Sequence, residues 1–538
     1  MQTLDQQRAA ASQMGELGAQ VTRITIHFEM VARLCPDAPL ATLADPDAPC
    51  YRWTEPDQSI GLARAQGLTV IVSVFGLPEW ANGGGNAAWT GATSAEADVA
   101  IERFARFSRA AATRYGPDST VGHVRHWTVW NEPNSAYFWQ PFDGQAVARY
   151  AQLYARAAGE IRAAQPDSLI APGPTGPNST TKPGLWIPRV QSALLARDAS
   201  SLVDAWAHNP YPGGKGSPRI AQIRLPAIGI GNFADLITLL DASSVTSGKP
   251  IWVTEFAYQT NPPDPASGVS LTDQARFLAE ALDIVWTSGR VTLFNWYLLQ
   301  DGNGDPAADW DSGLLDRTGS PKPAARMFTR PVALHPGAEG TFRVWGMSLK
   351  DASSATLVTA PTASGPWRRL QGQQQHGGSG VVTAGTTHPD AWVAVRDARG
   401  VGTAVATRPA INAGSGGASV ARRLQLRHGG PSRQARTCGR SLRAACGRRL
   451  GRPVWLQISV SAGVPVRATV TFERRIRGRW RPVATTHVRA TATGRWLRAP
   501  ADLAARRGAW RARATAGSRA RLVSPRVYGL TLAARRGR

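Results

Sequence analysis

The sequence lacks any long apolar run, since no stretch of 18 consecutive apolar residues occurs among its 538 residues. A membrane-spanning helix needs about 20 such residues, so no transmembrane segment is expected. The first residues also lack the basic head and apolar middle of a secretory signal peptide.

Acidic residues are scarce in the C-terminal part of the chain. Residues 331–538 contain 6 Asp and Glu against 36 Lys and Arg, whereas residues 1–330 contain 31 against 26. The net charge of +25 therefore comes from the second region. The simpler interpretation is an arginine-rich solvated surface. The sharper one is a domain that adheres to an anionic cell-envelope polymer or an acidic polysaccharide. Nucleic acid is not an expected partner, because no zinc, helix-turn-helix or RNA-recognition signature is present.

Cysteine is rare as well, with four residues that form two local pairs, Cys35 with Cys50 and Cys438 with Cys446. Neither spacing suggests zinc and no histidine cluster lies nearby, so no metal site is expected. We expect two disulfides, which fit an extracellular or cell-envelope protein. Free buried thiols in a cytosolic protein are the alternative.

Two apolar segments each end at a glutamate. Residues 127–134 read Trp-Thr-Val-Trp-Asn-Glu-Pro-Asn, and residues 251–256 read Ile-Trp-Val-Thr-Glu-Phe. Burial at the mouth of a strand can keep a carboxyl group protonated near neutral pH, as a general acid requires. Because Glu132 and Glu255 are far apart in the chain, only a fold that gathers strand ends brings them together. A (β/α)₈ barrel does so at the C-terminal ends of its strands.

The order of the predicted elements defines the domains. Residues 1–330 alternate strands with helices, which predicts an α/β protein with a (β/α)₈ TIM barrel. Residues 331–412 and 420–538 contain short alternating strands separated by Gly and Ser, which predicts two small all-β, Ig-like β-sandwich domains. Residues 413–419 form the linker, and the second sandwich is arginine-rich.

The two strand-end motifs resemble the acid/base and nucleophile motifs of clan A glycoside hydrolases, nearest to families 5 and 39. The resemblance covers about the first 330 residues. It implies that Glu132 is the acid/base at the end of strand four and Glu255 the nucleophile at the end of strand seven. A retaining O-glycosyl hydrolase of this kind cleaves a polysaccharide or oligosaccharide through a covalent glycosyl-enzyme and needs no cofactor. Its two carboxyl groups stand roughly 5–5.5 Å apart.

The resemblance also implies supporting roles for two residues near these glutamates. Arg23 corresponds to an arginine that holds the nucleophile ionised, and Asn131 to the asparagine that binds the sugar hydroxyl beside the reacting carbon. A structural ion pair at the bottom of the barrel is the alternative for Arg23.

Four more residues are candidates for substrate binding or support. His208 and Tyr211 resemble the histidine and tyrosine after strand six, although a histidine on an apolar strand is often a satisfied core residue. Trp296 ends the last strand, where the clan keeps an aromatic platform, and Trp80 is a second possible wall. The chain departs from family 5 at residues 73–75, where a histidine is usual.

The strand count leaves one strand missing. Seven strands are predicted, Trp130 closes only the third and Phe256 only the sixth, so the absent strand is the first. We therefore expect that Met1 is a misplaced start, and that a signal peptide and strand one precede it in the natural protein.

Two other classes of function remain open from the sequence. One is a non-catalytic carbohydrate-binding or adhesive cell-envelope protein on a barrel scaffold, and fold alone does not separate this from an enzyme. The other is a phosphate-binding barrel lyase, which would need a Gly-rich phosphate loop where residues 298–311 are acidic. The two glutamates together with Asn131 and Arg23 favour the glycosidase.

Overall fold

The structure is a computed structural model. It describes residues 3–36, 38–82, 94–302, 309–336, 341–377, 379–385, 391–407, 424–429, 455–460, 466–476, 479–490, 495–498 and 510–516. The chain divides into two compact units, Met1–Arg408 and Pro409–Arg538.

The first unit begins with alternating helices and strands. Its described α-helices are α1 Leu4–Leu17, α2 Phe28–Val31, α3 Leu40–Ala44, α4 Thr54–Ala65, α5 Glu79–Asn82, α6 Ser94–Arg114, α7 Ala146–Ala164, α8 Pro183–Leu195, α9 Phe233–Asp241, α10 Leu271–Thr287 and α11 Pro323–Thr329. The strands between them are β1 Val21–His27, β2 Thr69–Phe75, β3 His126–Val129, β4 Leu169–Pro172, β5 Trp206–His208, β6 Ile251–Phe256 and β7 Val291–Trp296.

Local sequence explains how these elements start and stop. Thr3 and Gln6 form a capping box at the start of α1, and Gly18 ends that helix at φ 80°, a left-handed conformation that glycine adopts without steric cost. Strand β2 is buried along almost its whole length, as expected for a parallel strand covered on both faces.

The seven strands are parallel and form two sheets. One sheet has the order β1-β2-β3-β4 and the other the order β5-β6-β7. An isolated parallel bridge joins Thr175, just after β4, to His208 in β5. The C-terminal ends of the strands therefore meet along one rim.

The outer edges of β1 and β7 have no partner strand within the described residues. A cavity of about 580 Å³ lies between them, and we call it the seam cavity. Side chains of both strands line it, together with Met14 and Leu17 of α1 and, towards the rim, Arg23 and Glu255. The observed seven strands agree with the seven predicted from the sequence.

The rest of the first unit is antiparallel β structure. Its strands are β8 Val332–Pro336, β9 Phe342–Met347, β10 Thr356–Ala360, β11 Arg368–Arg369, β12 Gln373–His376, β13 Val381–Ala384, β14 Trp392–Asp397, β15 Gly400–Val401 and β16 Val405–Ala406. One sheet has the order β12-β13-β9-β8, and the other has the order β11-β10-β14-β15 with β16 also on β14. Trp345 and Leu357, one from each sheet, share a core with Leu278 of α10.

The second unit is also antiparallel. Its described strands are β17 Leu424–Gly429, β18 Trp455–Val460, β19 Val466–Ile476, β20 Arg479–Ala490, β21 Arg495–Arg498 and β22 Trp510–Ala516. They form two sheets, β17-β18-β21 and β20-β19-β22. The linker 413–419 and the pair Cys438 and Cys446 lie outside the described residues, and the predicted domain boundaries stay predictions.

The disulfide Cys35–Cys50 is present, with Cα atoms 5.1 Å apart, and confirms that prediction. It closes a loop that is also held by the next residue, Tyr51, whose hydroxyl donates to the Leu43 carbonyl at 2.6 Å. Across the described part of the chain, no helix has both the length and the apolar character needed to cross a bilayer.

Candidate active site

The site forms where the ends of β3 and β6 meet. Glu132 follows β3 by three residues, and Glu255 is the penultimate residue of β6. The two carboxyl groups are close enough that the charge of Glu255 raises the pKa of Glu132. The strand-end motifs are thus brought together, as the sequence predicted.

The backbone that presents Glu132 is strained. Trp130 has φ 77° and Glu132 has φ 38°, both in the left-handed region that non-glycine residues rarely adopt. Trp130 is held there because its amide donates to the Val74 carbonyl at 2.8 Å and its indole donates to the Phe138 carbonyl at 2.9 Å.

Both oxygens of Glu255 are occupied by donors. Arg23 forms an ion pair with Oε1, and the Tyr211 hydroxyl donates to Oε2 at 3.0 Å. The Arg23 and Glu255 side chains are only 11% and 15% exposed. Glu255 is thus held by a charge-assisted contact with a cation and by a hydroxyl donor.

Arg23 is itself fixed by neighbouring strands. Its Nε donates to the Ser73 hydroxyl at 2.7 Å, and its Nη2 donates to Asn131 Oδ1 at 2.8 Å. Ser73 in turn contacts the Thr128 hydroxyl. The guanidinium therefore lies at the rim with the nucleophile candidate, and the alternative of an ion pair at the bottom of the barrel does not apply.

Glu132 has different surroundings. The Asn209 side-chain amide donates to Glu132 Oε1 at 2.9 Å, and the Thr254 hydroxyl donates to Asn209 Oδ1 at 2.7 Å. Burial, helped by the charge of Glu255, raises the pKa of Glu132 from 4.5 to about 7 against the opposing effects of Asn209 and Arg23. Glu132 is thus suited to hold a proton near neutral pH, whereas Glu255 is paired with a cation.

Comparison with protein-family models gives evidence that is independent of this geometry. Residues 122–328, which include both glutamates, match the model described as glycosyl hydrolase catalytic core. This part of the chain is therefore similar to a glycosyl hydrolase catalytic core. The protein is accordingly a glycosidase and its substrate is a carbohydrate.

Among solved structures, the chain is similar to several glycosidases at low identity. A glucosidase from Croceicoccus marinus is 13% identical, with 90% of this chain and 88% of that chain covered and a TM-score of 0.46. An exo-beta-1,4-mannosidase from Opitutaceae bacterium strain TAV5 is 17% identical, with 60% and 54% covered and a TM-score of 0.40. Fungal beta-1,4-galactanases are 17% identical, with 60% and 90% covered and a TM-score of 0.41. These scores are too low to support a conclusion about substrate. Comparison with the curated proteins gives no match.

In the glycosyl hydrolase core, His208 lies behind the rim. It is fully buried, its Nδ1 accepts from the Thr175 hydroxyl at 2.7 Å, and its Nε2 donates to the Ile228 carbonyl at 3.2 Å. Burial lowers the pKa of His208 to about 4, so the ring is neutral. His208 therefore supports the end of β5 next to Asn209 and does not face the substrate.

Trp296 lies beside the seam cavity. Its indole donates to the Ser312 carbonyl at 2.8 Å and its ring packs edge-on against Phe256. The next residue, Tyr297, lies within electrostatic range of both glutamates, and burial and the charge of Glu255 raise the pKa of its hydroxyl. Tyr297 is therefore the residue at the end of β7 that belongs to the site.

Trp80 lies in α5, and its ring contacts are with residues other than the two glutamates. Its ring packs edge-on against buried Phe28 at 5.9 Å, and the Arg103 guanidinium lies 5.5 Å from its centroid. The structure gives Trp80 a packing role.

Sequence reasoning missed three residues of the site, namely Asn209, Tyr297 and Trp310. The ring of Trp310 lies 5.4 Å from that of Tyr211 and 5.6 Å from that of Tyr297, and it is 42% exposed. Asn209 had a signal, because a polar residue directly follows the buried strand β5. Within the described residues, no group of three or more His, Cys, Asp or Glu is arranged to hold a metal ion.

Proposed function

We propose that this glycosidase retains the configuration of the sugar, with Glu132 as acid/base and Glu255 as nucleophile. The supporting observation is the contrast between the two carboxyl groups: Glu255 is paired with Arg23 and Tyr211, and Glu132 is buried with a raised pKa.

In the first step Glu255 attacks the anomeric carbon while Glu132 donates its proton to the departing oxygen. In the second step Glu132 removes a proton from water, the water oxygen attacks the anomeric carbon, and the bond to Glu255 breaks. Esterification of Glu255 removes the negative charge that helps raise the pKa of Glu132. The pKa of Glu132 then falls, which suits its change from acid to base.

The test is the configuration of the first-formed product. An aryl-glycoside panel identifies a substrate, and proton NMR during its hydrolysis should show a product with the anomeric configuration of the substrate. The opposite anomer would overturn the retaining mechanism.

We also propose that β1–β7 and their helices form a TIM barrel that lacks its first strand. The parallel order of both sheets, the bridge from Thr175 to His208 and the seam cavity between β1 and β7 support it. The missing strand would lie between β7 and β1.

We also propose an extracellular or cell-envelope location for the protein, and contact of its basic C-terminal region with an anionic envelope polymer. The disulfide Cys35–Cys50 and the excess of 36 Lys and Arg over 6 Asp and Glu in residues 331–538 support this. Binding of the full chain to an anionic polysaccharide should weaken as salt rises, and salt-independent binding would contradict an electrostatic contact.

A further inference from the structure

A histidine outside the described constellation faces the same side of its strand as Arg23. Side chains alternate along a strand, so Arg23, Thr25 and His27 in β1 share one face. Arg23 contacts Glu255 from this face. His27 is the last of the three and therefore lies nearest the rim.

The register of the sheet gives the height of His27. It lies opposite Phe75, with the two rings edge-to-face at 5.6 Å. Val74 lies opposite Val129, which places Phe75 level with Trp130, and the Phe75 and Trp130 rings are 4.9 Å apart. His27 is thus level with the residue two positions before Glu132.

Glu29 fixes the orientation of the His27 ring. His27 Nδ1 lies 3.1 Å from Glu29 Oε1, and because a carboxylate only accepts, Nδ1 carries the proton and donates. Glu29 Oε2 is buried against Gly76, whose φ of 82° and lack of a Cβ allow this close approach. With Nδ1 donating to Glu29, Nε2 is the ring nitrogen left to contact a ligand, and 35% of the side chain is exposed.

We propose that His27 is a specificity-determining residue, whose Nε2 accepts a hydrogen bond from one hydroxyl of the sugar ring that is cleaved off. Glu29 is its positioning residue. The ligand class is a neutral glycone with a hydroxyl donor at that position. This inference rests on the proposed glycosidase mechanism and extends it to recognition of the sugar.

A purely structural pair explains the geometry less well. Glu29 Oε2 has no hydrogen-bond partner within the described residues, and burial of an unpaired carboxylate oxygen is costly. The Glu29 contact thus orients the His27 ring at a cost in stability, while Nε2 of that ring makes no stabilising contact within the described residues. If Nε2 is held at the rim to accept a hydrogen bond from a sugar hydroxyl, the arrangement has a function.

The experiment compares aryl glycosides of the preferred sugar that each lack one hydroxyl group. The wild-type enzyme should lose roughly 10- to 100-fold in kcat/KM for the analogue that lacks the contacted hydroxyl. In His27→Ala and His27→Asn this one penalty should shrink to about 3-fold or less, while the penalties at other positions stay unchanged. Equal penalties in wild type and both variants at every position would overturn the proposal.

Two further variants separate positioning from general damage. Glu29→Ala should reduce the same penalty, and Glu29→Gln, which keeps an acceptor for Nδ1, should largely restore it. His123→Ala is the matched control, because His123 also lies beside a carboxylate, Asp167 at 3.3 Å, but comes before β3 at the opposite end of the strands. It should leave every penalty unchanged. A wild type with no turnover would instead reject the proposed function itself.

Discussion

The ends of β3 and β6 carry the same side chain and place it in different surroundings. At β6 the Glu255 oxygens contact a guanidinium and a phenol hydroxyl, both donors to an anion. At β3 the Glu132 carboxyl is buried beside another acid and receives one amide. The comparison shows that neighbouring strands, and not the strand-end motif, decide the surroundings of each carboxyl group.

The largest effect should come from removal of either carboxyl group. Glu255→Ala should reduce kcat by at least about 10⁴-fold, because the proposed mechanism forms the glycosyl-enzyme on this carboxylate. Azide should restore turnover and give a glycosyl azide of inverted configuration. Glu132→Ala with azide and an activated aryl glycoside should give the retained azide instead. Glu102→Ala, on the surface of α6, is the control. Identical products from both site variants would contradict the different roles proposed for Glu255 and Glu132.

Loss of the Arg23 guanidinium should make the surroundings of Glu255 more like those of Glu132. Arg23→Met removes the ion pair to Glu255 and the donor to Asn131, so we expect kcat/KM to fall roughly 10²- to 10³-fold. Steady-state kinetics on one aryl glycoside measures the change. Arg109→Met, which loses a surface contact to Glu160, should stay within about 2-fold. A fall of the same size in both variants would point to a general loss of folding.

Removal of one hydroxyl tests the second donor on Glu255. Tyr211→Phe deletes the hydrogen bond at 3.0 Å and should lower kcat roughly 10- to 100-fold, with the fold intact by circular dichroism. Tyr51→Phe removes a hydrogen bond to Leu43 in the disulfide loop and should lower the melting temperature only. Unchanged kcat in Tyr211→Phe would show that the Arg23 contact to Glu255 is sufficient without the Tyr211 hydroxyl.

The smallest expected effect is a shift in pH dependence. Glu132 must start protonated, and its pKa of about 7 lies above the ordinary 4.5, so kcat/KM should fall as pH rises through about 7. The Asn209 amide favours the ionised form of Glu132. Asn209→Ala should therefore move this limb to higher pH. A shift to lower pH would contradict the assigned contact.

The parts of the site that follow from strand patterns were predictable. Two apolar strands that end at Glu132 and Glu255 imply a fold that gathers strand ends, and the resemblance to clan A implied that Arg23 on β1 would contact Glu255. Asn209 was not assigned, because its contact with Glu132 depends on how close β5 comes to β3. Tyr297 was missed in favour of Trp296 because adjacent residues of a strand face opposite sides, and the sequence does not show which side is the cleft.

The left-handed backbone at Trp130 and Glu132 creates a trade-off between thermal stability and activity. Each such residue costs on the order of 1–3 kcal/mol, in a domain whose net stability is about 5–15 kcal/mol. Glycine at position 132 would adopt φ 38° without that cost and would remove the acid. Selection for heat resistance alone would therefore favour loss of the catalytic group, and stabilised variants of this enzyme should be screened for turnover at every round.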